Sequence, residues 1–114
     1  MQAFNPSSLI GEASPGRSPA GARILRTPSL SMGLYHLEAG QVDEQQPHTE
    51  DEVYFVVSGR ASFRAARHEQ TIEPGSVIFV ERDIEHRFVN ITEDLTVLVF
   101  FAPAEGSLRA GAGT

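Results

Sequence analysis

The chain contains no cysteine and no lysine in its 114 residues. Without cysteine there are no disulfides, no thiolate ligands and no cysteine nucleophile. Without lysine there is no Schiff-base chemistry and no lysine base. All nine positive charges are therefore arginine, and the net charge is −6. No basic cluster stands out against it, so the electrostatic footprint of a nucleic-acid binder is missing. No apolar run approaches the ~20 residues needed to cross a bilayer as a helix. Nucleophile elbow, P-loop and dinucleotide glycine patterns are absent as well. The N-terminal stretch, MQAFNPSSLIGEASPG, has neither the basic start nor the apolar centre of a signal peptide. These absences lead to the expectation of a soluble cytoplasmic protein that takes a small-molecule ligand or substrate.

What is present is a succession of short β-type segments. A chain of this length suits one domain and buries roughly two-thirds of its unfolded surface. Residues 1–22 hold Pro6, Pro15 and Pro19 among Gly11, Gly16 and Gly21, a spacing that interrupts helices and ladders. They are read as an extended arm, with Phe4, Leu9 and Ile10 as possible anchors. Residues 23–103 form the domain, and residues 104–114, small and glycine-rich, are expected to fray. Strands are expected at Ile24–Leu25, Leu30–Leu37, Val53–Val57, Ala61–Ala65, Gln70–Ile72, Val77–Val80, His86–Val89 and Leu95–Phe101. Roughly seven to nine short strands with regular turn signals and no helical period define an all-β sandwich or barrel. Phe79, Phe88, Phe100 and Phe101 are expected to fill the core.

The stretch Gly40–Gly59, GQVDEQQPHTEDEVYFVVSG, concentrates the chemistry. Gln46 and His48 are two apart, which in extended backbone turns both toward one side. Pro47 between them is compatible with such backbone. Glu52 shares its parity with Tyr54 and Val56. His86 comes from a separate segment and brings Phe88 with it. Two imidazoles and one carboxylate suit Fe(II), Mn(II), Ni(II), Co(II) or Zn(II) and leave coordination positions open. Gln46 adds a weaker amide oxygen.

These residues resemble the two motifs of a small single-domain cupin. The first motif is glycine, five residues, His-x-His, three or four residues, Glu, six residues, glycine; here it runs Gly40, Gln46-Pro47-His48, Glu52, Gly59. The second is matched by Gly75, His86 and Asn90. The resemblance spans Leu30–Phe101 and implies a double-stranded β-helix, or jelly-roll, barrel with a metal held inside it. Gln46 replaces the first ligand histidine, and Glu81 and Asp83 replace the proline and glycine of the second motif. The implied metal ligands are His48, Glu52 and His86, with Gln46 as fourth or outer donor and Tyr54 as catalytic substrate contact. The resemblance also implies a homodimer, because such proteins often pair their sheets across a two-fold axis.

A lone His48 reads as an ordinary loop histidine; its spacing to Glu52 and His86 is what makes it a ligand. His36 is read as lining the cavity or as a satisfied edge histidine, and His68 as a solvated turn residue. Of the acidic run Glu50-Asp51-Glu52, only Glu52 holds a motif position; the rest is a solvated face. Two functions stay open: a metal-dependent enzyme (dioxygenase, isomerase, lyase or decarboxylase), or a non-catalytic module that binds a small molecule or a structural metal.

Overall fold

The structure, a computed structural model, describes residues 1–6 and 20–109. Most of the expected arm, including Leu9 and Ile10, and the last five residues of the expected tail lie outside the described residues. Six strands follow in order: β1 Ala20–Thr27, β2 Leu30–Leu37, β3 Asp51–Ala65, β4 His68–Ile72, β5 Val77–Val80 and β6 His86–Ala102. All pairings are antiparallel, in the order β1-β2-β6-β3-β4, with β5 added to β3. The hydrogen-bonded path is open, so packing rather than a continuous ladder closes the fold.

Two pairs of expected strands are single long strands. Val53–Val57 and Ala61–Ala65 are the two halves of β3, and His86–Val89 and Leu95–Phe101 are the two ends of β6. The long hairpin of β3 and β6 passes through both layers of the fold. Its first layer pairs Asp51–Ser58 with Thr96–Ala102 and carries β5, β2 and β1; its second pairs Ser62–Ala65 with His86–Val89 and carries β4. Between the layers the register slips at Val56/Ser58, Ser58/Arg60 and Arg60/Ser62. Such bulges bend a strand and change which face its side chains take. Glu52, Tyr54 and Val56 point inward before the bend, Ala61 and Phe63 after it. β6 changes parity likewise, from His86 and Phe88 to Leu95, Val97, Val99 and Phe101.

Gly59 makes the bend possible. Its φ is +97°, and a Cβ there would sit 2.2 Å from the Asp94 carbonyl oxygen. No side chain fits. The layers meet through aromatic rings: Tyr54 of the first lies 5.6 Å from Phe63 and 5.1 Å from Phe88 of the second. Phe88 and Phe101 are core residues as expected, but Phe79 is 62% exposed and Val77 69%. Both lie on the outer face of β5, a strand too near the edge to be covered on both sides.

The C-terminal segment is anchored where it was expected to fray. Ala104 is fully buried. The Gly106 and Leu108 amides donate to the two oxygens of Glu50 at 2.7 and 3.0 Å. Glu50, expected on a solvated face, is 1% exposed. Three donors satisfy its carboxylate, the third being the Thr49 hydroxyl. These contacts outweigh burial and hold its pKa below the usual carboxylate value.

Candidate metal centre

Three chain segments deliver the donor groups. His48 lies in the loop between β2 and β3, Glu52 is the second residue of β3, and His86 is the first of β6. The Asp83 amide donates to the His48 carbonyl at 2.7 Å, tying the turn before β6 to the loop before β3. Asp83 adopts φ +64°, a left-handed conformation that Asp tolerates better than most residues. It thus fills the place where the second cupin motif has glycine.

One donor atom from each of His48, Glu52 and His86 lies within 4.8 Å of the others. His86 Nε2 is 2.8 Å from Glu52 Oε1, and His48 Nδ1 is 3.4 Å from the same oxygen. The Ile84 carbonyl accepts from His86 Nδ1 at 2.8 Å. A neutral ring so held carries its lone pair on Nε2. That lone pair faces the Glu52 carboxylate, so a proton or a cation has to lie between them. His48 Nδ1 and Glu52 Oε2 are buried without any hydrogen-bond partner among the described residues. Two orphaned donor atoms beside a third unshared lone pair are the chemistry a divalent cation satisfies, and the donor set fits Fe, Mn, Ni, Co or Zn.

Among these side chains themselves, the carboxylates hold the His48 proton. Burial lowers the His48 pKa, but Glu105 and Glu52 outweigh it and raise it to about 9. Burial raises that of Glu52, yet His48 and His86 pull it below the ordinary value.

Tyr54 is fully buried, and its hydroxyl stands 3.1 Å from His86 Nε2 while donating to Gln45 Oε1 at 2.9 Å. Burial first, then the Glu52 charge, pushes its pKa well above 10, so it is a fixed hydroxyl and not a base. Gln46 lines the same cavity as His48 but is exposed. The buried amide is its neighbour Gln45, whose Nε2 donates to Asp43 Oδ2 at 2.7 Å. Asp43 also accepts from the Phe88 amide at 2.8 Å. The parity argument for Gln46 assumed strand backbone, and residues 38–50 are loop. Nothing in the sequence singled out Gln45, Asp43 or Glu105; their roles come from contacts across the fold. His36 is bonded to Thr96 at 2.9 Å on a strand paired on both sides, a satisfied histidine.

On the His48 side of the group opens a cavity of about 430 Å³ lined by Arg23, Tyr35, Gln46, His48 and Arg109 among others. Burial and nearby carboxylates raise the pKa of the Tyr35 phenol, leaving it a neutral wall. Neither guanidinium has an ion-pair or side-chain hydrogen-bond partner among the described residues.

A doubled antiparallel sheet with imidazole and carboxylate donors gathered inside defines the double-stranded β-helix class. Residues 33–101 match the cupin domain, and the chain belongs to that family. It is similar to the uncharacterized protein SCO3923 of Streptomyces coelicolor, 44% identical over 105 residues, covering 92% of this chain and 99% of that one. Among solved structures it resembles TT1209 from Thermus thermophilus, with a TM-score of 0.77 at 22% identity over 91% of this chain and 99% of that one. It also resembles the DMSP lyase DddQ from Ruegeria pomeroyi, with a TM-score of 0.71 at 21% identity over 81% of this chain and 49% of that one. At such identities the structures share the fold. No helix among the described residues is long and apolar enough to cross a membrane.

Proposed function

We propose that this cupin is a metal-dependent enzyme acting on a small organic acid. The carrying observation is the group of His48, Glu52 and His86, with Glu52 and His86 buried, His48 Nδ1 and Glu52 Oε2 unpartnered among the described residues, and His48 lining an open cavity. When bound, a divalent metal supplies Lewis-acid polarisation or activates a bound oxygen ligand. The rest is work for the chain itself. His48, Glu52 and His86 hold the ion, and Gln46 at the cavity wall is a further amide donor. Tyr54 keeps its proton, donates a hydrogen bond to Gln45 and forms the buried wall behind His86. Arg23 and Arg109, free of carboxylate partners among the described residues, attract the acid group of the substrate. The lyase DddQ shares this fold, and the donor set serves dioxygenase, isomerase and lyase chemistry alike.

A second reading has its own observation. The His48 and His86 rings lie within ion-pair distance of Glu52, contacts that would also hold a metal-free binding module together. Elemental analysis of protein purified without chelator or metal-affinity tag decides between them. Close to one Fe, Mn, Ni, Co or Zn per chain is expected; negligible metal, unrecovered on soaking, overturns the enzyme reading.

A further inference from the structure

We propose that Glu105, on the anchored C-terminal turn, is the positioning residue of His48: it holds the outer ring nitrogen so that the inner one faces Glu52 and His86. This rests on the metal-site reading above. His48 Nε2 lies 3.3 Å from Glu105 Oε2, while Nδ1 lies 3.4 Å from Glu52 Oε1 on the opposite side of the ring. A neutral imidazole has one N–H and one lone pair, and the better acceptor takes the N–H. Nδ1 faces the donor group that Glu52 and His86 share, whereas Glu105 has no other side-chain partner among the described residues. The proton therefore goes to Nε2 and toward Glu105, which leaves the Nδ1 lone pair for a cation. His86 is oriented in the same manner by the opposite nitrogen, through the Ile84 carbonyl. Ligand histidines generally use such an outer partner to fix tautomer and ring angle.

The fold places Glu105 with care. Its amide donates to Ser31 Oγ at 2.8 Å, and its carbonyl accepts from Arg26 Nη1 at 2.7 Å. The next turn is clamped by the buried Glu50. Gly106, at φ +81°, lets the chain reverse there. The backbone is thus fixed on both sides of a side chain that is itself 40% exposed. This bracing delivers a carboxylate to the rim of the donor group.

The test uses the full chain and Zn(II) alone. Apparent affinity is measured by competition with a chromophoric chelator for the parent, Glu105→Leu and Glu105→Asp, and the His48 tautomer by long-range ¹H–¹⁵N spectra of the Zn(II)-loaded proteins. Glu105→Leu is expected to bind about 10–100-fold more weakly, the usual loss for an outer partner. Glu105→Asp recovers part of the affinity, and the parent shows a single Nε2–H tautomer at His48. Affinity of Glu105→Leu within about twofold of the parent, or a parent His48 bound through Nε2, overturns the proposal. So does a Co(II) spectrum whose coordination number changes in Glu105→Leu, because Glu105 would then be a direct ligand. A parent that binds neither Zn(II) nor Co(II) overturns the metal reading along with it. The two failures are therefore distinguishable.

Discussion

At the scale of single residues, the question is which histidines hold an ion. His48 sits against Glu52 and Glu105, whereas His68 opens β4 with its side chain exposed. His48→Ala is expected to lose bound metal and His68→Ala to retain it, by elemental analysis of both; equal retention contradicts the assignment. The same histidine sets a pH dependence. Its folded pKa of about 9 stands above the ordinary 6.5. The ion pair therefore stabilises the metal-free protein fully below about pH 6.5 and is lost as pH rises through about 9. The thermal midpoint of the metal-free protein is expected to fall across that window, and that of His48→Gln to lack this fall. Metal affinity runs the other way and weakens as pH drops, because the ion competes with the His48 proton. A metal-free parent whose melting is flat from pH 6.5 to 9 shows that the carboxylates do not hold a proton on His48.

At the scale of elements, the bends in β3 and β6 decide what faces inward. A regular strand starting at Glu52 would keep its inner parity through residues 60, 62 and 64 and expose Phe63. The register slips around Gly59 instead put Phe63 in the core opposite Tyr54. Gly59→Ala meets both a positive φ and the Asp94 carbonyl, and is expected to cost at least ~2 kcal/mol in denaturant unfolding. A loss below about 0.5 kcal/mol would mean that the bend relaxes freely. The alternation that places Glu52, Tyr54 and Val56 on one face was legible from spacing, because period two holds within each half-strand. The joining of half-strands was not, since a bulge and a turn both read as a glycine between apolar runs.

At the scale of the whole molecule, one outer sheet surface is apolar. Val53 pairs with Phe79 and Phe55 with Val77, and Phe55, Val77 and Phe79 are all exposed. A second copy of the chain, packed across a two-fold axis, is the occupant consistent with a homodimer. Light scattering is expected to give twice the chain mass at micromolar concentration, and Phe79→Glu the monomer. A monomeric parent removes the dimer from the account.

The all-strand character of residues 20–109 and the spacing that brings His48, Glu52 and His86 together were determined by the sequence. Periodicity and turn residues act locally, and two motifs fix where the donors fall along the strands. The tertiary structure alone decided that Gln45, not Gln46, is the buried amide, that Glu50 is buried as a clamp, and that Glu105 reaches His48. The first of these depends on loop backbone that turns Gln45 toward Tyr54. The other two depend on contacts between residues more than fifty positions apart. No local pattern encodes such contacts; they exist only once the doubled sheet has closed around the site.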